Sequence, residues 1–131
     1  MQNFFLKVAA LLGALSVAIG AFAAHQLKAI VSAEVLQIFE TAVKYQFYHV
    51  FALLAVGILY KDYGGKWLKW SGYLFILGIL LFSGSLYLLC IAKHFNPADK
   101  SWLGAITPLG GASFIAAWVL LAVGCKAKKP A

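Results

Sequence analysis

Four long apolar stretches separated by short polar breaks organise the chain. The first occupies residues 4–24 and is interrupted only by Lys7, close enough to its end to snorkel toward the headgroups. The others occupy residues 42–60, 71–92 and 108–124. All four lie within the roughly 17–25 residues that a membrane-crossing helix needs. The breaks carry turn chemistry: residues 61–66 read Lys-Asp-Tyr-Gly-Gly-Lys, and residues 93–100 hold an Asn96-Pro97 pair. Tyr60, Tyr63, Trp67, Trp70 and Trp102 stand at the ends of the stretches, where amphipathic rings meet the headgroups.

The approach to the second stretch has a different pattern. Val35, Ile38, Phe39, Ala42 and Val43 recur at helical spacing, with Glu34, Gln37, Glu40, Thr41 and Lys44 on the other side. Ser32 stands where an N-cap belongs, and Glu40 and Lys44 form an i,i+4 pair in the favourable order. The pattern predicts an amphipathic helix over residues 33–44, lying at the interface or continuing directly into the second span. The expected fold is an all-α integral membrane four-helix bundle with a short interfacial amphipathic helix before the second span. Residues 1–131 are expected to form a single transmembrane domain.

Composition sharpens this picture. Hydrophobic residues make up 63% of the 131 and charged residues 11%, against about 45–50% and 25% in soluble domains. A soluble chain this small lacks the polar groups to cover its surface, which argues against a cytosolic enzyme, a nucleic-acid module, a disordered chain and a disulfide scaffold. The net charge of +7 comes from 11 lysines and no arginine, scattered over the connections and termini without a basic stripe. No nucleic-acid partner is therefore expected, and membrane lipid is. With the N-terminus inside, residues 7, 61, 66, 69, 126, 128 and 129 place seven lysines on the inner side, and residues 28, 44, 93 and 100 place four on the outer. Both termini are expected in the cytoplasm. Residues 21–23 imitate a signal-peptide cleavage site, but the first stretch is long enough to span, and a retained span is expected.

Cys90 and Cys125 then lie at opposite ends of adjacent spans, about 30 Å apart, beyond the roughly 7 Å that a disulfide allows between Cα atoms. Both are read as packing thiols. Ala9, Gly13, Ser16, Gly20 and Ala24 give the first span a small-residue face. Gly78, Gly84, Gly110 and Gly111 suggest close contacts elsewhere, and a bulky side chain at Gly111 is expected to disturb the bundle more than loss of His49.

The polar residues inside the spans collect at one depth. They are His25, Gln46, His49, Ser83, Ser85, Tyr87 and Thr107. Because the chain alternates direction, all seven fall in the outer half of the bilayer, or share a side in either orientation. Two readings are open. The first is hydrogen bonding between helices, at about 0.6 kcal/mol per bond. The second is a ligand or proton site in which His25, His49, Tyr87 and a helix start at Thr107-Pro108 converge on one outward-facing pocket, sensitive to pH and suited to an anion. No catalytic, cofactor-binding or metal-binding residues are expected: no acid lies within a span to orient a histidine, and two histidines make a poor metal site.

Residues 20–28 (GAFAAHQLK), 45–49 (YQFYH), 82–89 (FSGSLYLL) and 106–111 (ITPLGG) together resemble the small membrane family called domain of unknown function 423, also described as transmembrane protein 256-like. The resemblance covers nearly the whole chain; Ala23 and Gln26 depart from the glycines expected in the first motif. It implies a four-span protein of the bacterial inner membrane, with relatives in eukaryotes, and it supplies no reaction. The functional expectation is a non-enzymatic accessory or scaffolding subunit of a larger membrane assembly or homo-oligomer. The alternative is a small-solute, proton-coupled or lipid-binding carrier using the polar cluster.

Overall fold

The computed structural model describes residues 1–98 and 102–126. Four helices in it are long and apolar enough to cross a membrane. Helix α1 (Gln2–His25) ends in a 3₁₀ turn (Leu27–Ala29), and α2 covers Ala33–Leu59. The third span is composite: α3 (Gly65–Gly78), a π-helical turn (Ile79–Ser83) and α4 (Gly84–Phe95). Helix α5 (Leu103–Gly124) completes the bundle. The described residues contain no strand, as expected in lipid, where a helix satisfies its backbone internally.

Several boundaries differ from those expected. The amphipathic residues 33–44 do not form a separate helix lying on the membrane surface; they are the first turns of an uninterrupted 27-residue α2, about 40 Å long. Their apolar side is used inside the bundle. Val35 and Ala42 are buried, the Cys90 thiol donates to the Val35 carbonyl at 3.5 Å, and Lys93 pairs with Glu34 at 3.2 Å. Packing against α4 thus holds this segment upright. Ser32 does cap α2, accepting from the Val35 amide at 3.3 Å. The third span begins at Gly65, six residues before the apolar stretch at residue 71, and Lys93, His94 and Phe95 are still helical. Asp99 and Lys100, also placed in that loop, lie outside the described residues. Between α2 and α3 the chain turns through Gly64 and Gly65, both with positive φ (58° and 88°), which side chains rarely tolerate.

Helix α1 packs along α2, and α5 packs along the composite third span, which also lies against α2. The small-residue face of α1 meets α2 within the bundle, where Gly13 sits against Val50 and Gly20 against Val43. The core centres on Phe5, Leu53, Val56, Leu68, Phe75 and Phe114. Cys90 is buried and Cys125 partly so, and both thiols are free.

Candidate functional site: a polar seam between the spans

Side chains on a helix lean toward its N-terminus. Because α2 and the third span run antiparallel, Gln46 and Tyr87 lean toward each other from opposite directions. The Tyr87 hydroxyl donates to Gln46 Oε1 at 2.7 Å, and Gln46 Nε2 donates to the Leu12 carbonyl of α1 at 3.4 Å. Gln46 is 2% exposed and links three spans. One turn along the same seam the Ser83 hydroxyl donates to the Ala42 carbonyl at 2.7 Å.

Residues two apart on a helix stand about 200° from each other. Ser83 addresses α2, whereas Ser85 addresses α5, sharing a 2.7 Å hydrogen bond with the Thr107 hydroxyl. Ser85 also reaches the Phe82 carbonyl at 2.9 Å. His49 is 6% exposed. Its Nδ1 lies 2.6 Å from the Tyr45 carbonyl, and since a carbonyl only accepts, Nδ1 carries a hydrogen. The imidazole lies flat on Phe114, with ring centroids 3.4 Å apart and planes within 6°.

Six of the seven predicted residues therefore take part in contacts between or within the spans, but they do not make one shared pocket. Gln46, Tyr87 and Ser83 line the seam between α2 and the third span. Ser85 and Thr107 join the third span to α5, and His49 is packed on the ring of Phe114. His25 is exposed at the C-terminal end of α1 and makes none of these bonds. The helix start expected at Thr107-Pro108 lies at Leu103, so Thr107 does not cap and Pro108 sits inside α5. The positive end of the α5 dipole is consequently more than a turn away from the cluster.

Chemically, the seam is built for cohesion. Every buried side-chain nitrogen and oxygen among the described residues has a hydrogen-bond partner. Glu34, Glu40 and Asp62 are exposed, and Asp99 is outside the described residues. Among the described residues no group of three or more His, Cys, Asp or Glu side chains comes together. Sequence reasoning missed one further polar contact, a reciprocal pair between α3 and α5. Ser71 donates to the Ala117 carbonyl and Ser113 to the Leu74 carbonyl, both at 2.8 Å. The signal was there: Gly110, Ser113 and Ala117 repeat at intervals of three and four, the spacing of a close helix–helix face.

Removing one bond from this seam has a modest expected effect. Tyr87→Phe leaves Gln46 Oε1 without its donor and is expected to lower stability by about 0.6 kcal/mol, at most roughly 1.7. Chemical or thermal unfolding of the detergent-solubilised variant measures it.

The comparisons with known proteins agree with this architecture. The family model described as "Protein of unknown function (DUF423)" matches residues 19–111. A UPF0382 membrane protein of Staphylococcus saprophyticus is 42% identical, with 91% of this chain and 97% of that protein covered. The UPF0382 membrane protein YwdK of Bacillus subtilis is 41% identical over 90% of this chain and 95% of its own length. The UPF0382 inner membrane protein YgdD of Escherichia coli K12 is 38% identical, covering 94% of this chain and 89% of that one. No solved structure matches the chain. A family model over most of its length, four apolar helices and relatives matched nearly end to end place the chain in the DUF423 family, small multi-span membrane proteins of unassigned biochemical function.

Proposed function

We propose that this protein is a non-enzymatic accessory or scaffolding subunit of a larger assembly, or homo-oligomer, in the bacterial inner membrane. The observation that carries the reading is the internal use of its polar groups: Gln46, Tyr87, Ser83, Ser85 and Thr107 bond to each other or to backbone carbonyls across the spans. The outward faces are apolar, with Leu11 and Val17 exposed on α1 and Leu109, Ile115 and Val119 on α5. Such faces suit lipid and neighbouring spans. The carrier alternative needs an open polar route to His49, and the flat packing of that ring on Phe114 speaks against it.

Both termini belong in the cytoplasm on this reading. In the sequence, seven of the eleven lysines fall near the two chain ends or around the break between the second and third spans, and a lysine excess marks the cytoplasmic side. Purification from native membranes in mild detergent, followed by native mass spectrometry, tests the proposal. Co-elution with other membrane proteins or as a homo-oligomer is expected. Elution always alone, at the mass of one chain, overturns it.

A further inference from the structure

A groove that borders the polar seam at Tyr87 opens where α1 ends, α2 begins and α4 ends. Val35 and Phe39 of α2 form one wall, Cys90 and Ile91 of α4 the other, with Phe22 beneath and His94 at the mouth; its volume is about 300 Å³. Past Phe22 and Phe39 it continues into a shallower hollow of about 430 Å³ beside Ala18 and Ile19. At the other end it meets a smaller recess of about 140 Å³ whose polar lining is Ser32, Glu34, Lys93 and His94. The body is thus apolar and elongated along the helices, and one end is charged.

We propose that this groove binds one phospholipid whose headgroup carries both a phosphate and a primary ammonium. The acyl chain lies between α2 and α4, sheltering apolar walls that otherwise face an irregular gap in the bilayer. The argument for the headgroup is charge complementarity. Lys93 Nζ and Glu34 Oε1, 3.2 Å apart, present one positive and one negative group at the mouth. A zwitterion pairs with both, its phosphate toward Lys93 and its ammonium toward Glu34. A purely anionic headgroup meets the Glu34 side chain in the first turn of α2 and finds no partner for it. The ion pair also bridges the two walls, so a headgroup bound across it joins α2 to α4.

The test uses the full-length protein in nanodiscs containing equal amounts of phosphatidylethanolamine and phosphatidylglycerol, released into native mass spectrometry. One retained phosphatidylethanolamine is expected, about ten-fold above phosphatidylglycerol, the ratio of a single favourable contact. Glu34→Lys is expected to bring the two lipids to parity or to reverse their order. Ile91→Trp, at a groove position that is 56% exposed, is expected to abolish retention of both lipids while the lipid-free protein melts at the same temperature as the unaltered protein stripped of lipid. Equal retention of the two lipids by the unaltered protein overturns the proposal, as does unchanged retention in Ile91→Trp. A lipid-free dimer that Ile91→Trp dissociates also overturns it, and makes the groove a contact between copies of this chain.

Discussion

Gly110→Ala is expected to destabilise the bundle by about 1–3 kcal/mol, the usual cost of overpacking. Gly111→Ala, one residue away, is expected to be neutral or to stabilise by up to about 1 kcal/mol, the helix-propensity difference between the two residues. The contrast follows from what each new methyl group meets. At position 110 it falls on the backbone of the π turn, 2.7 Å from Phe82 Cα and also against the Phe82 amide nitrogen. Backbone cannot swing aside as a side-chain tip can, so α5 must move away from the third span. That movement opens the bonds from Ser85 to Thr107 and from Ser113 to the Leu74 carbonyl. At position 111 the methyl group meets nothing within 4 Å. Unfolding midpoints of the two variants in detergent decide the matter, and equal effects would remove the close contact from this account. The same geometry corrects the expectation for Gly111: a bulky residue there points into open space, and Gly110 is the position that limits approach.

Phe114→Ala is expected to cost about 3–5 kcal/mol, the range for emptying a buried aromatic site. Phe114 is 4% exposed. It covers the face of His49, touches Phe82 with centroids 5.6 Å apart, and lies over Gly78, where an added methyl group would sit 3.1 Å from its Cγ. Its removal leaves a hole between α2, the third span and α5 that none of the three closes without giving up its polar bonds. Ile115→Ala is the control. That side chain is 69% exposed toward the apolar solvent, and the change is expected to stay within about 0.5 kcal/mol. A cost for Ile115→Ala as large as that for Phe114→Ala would mean that the outward face of α5 is itself packed, against another chain.

Much of the architecture was legible because the membrane makes it a local property. Lipid offers no hydrogen bonds, so an apolar run of sufficient length must be a helix, and four such runs meant four spans. The glycine pair at positions 64 and 65 marked a turn for an equally local reason, the positive φ that both adopt. Ser32 announced its cap by position alone. The small-residue face of α1 was legible as a close-packing face from its spacing, and Gly13 and Gly20 sit against Val50 and Val43 of α2.

The site was legible as a list of residues but not as an arrangement. In water, the polar side of a helix shows which side is inside; in lipid both sides are apolar, because the tails outside are as hydrophobic as the leucines within. The hydropathy of α5 therefore says nothing about which way it turns, and Phe114 and Ile115 look alike in the sequence although one is buried and the other faces out. Ser83 and Ser85, two residues apart, stand on opposite sides of the third span, and only the packing decides which neighbour lies on each side. His25 was grouped with the other polar residues on depth alone, and depth does not set direction. Pro108 looked like a helix start because proline favours that position, yet α5 begins at Leu103, and only the packing of its first turns against the third span reveals it. Span number and the turn at Gly64–Gly65 thus followed from length and local backbone chemistry. Which face of each helix turns inward, which glycine limits an approach and which polar group finds which partner were decided by the meeting of surfaces far apart in the chain.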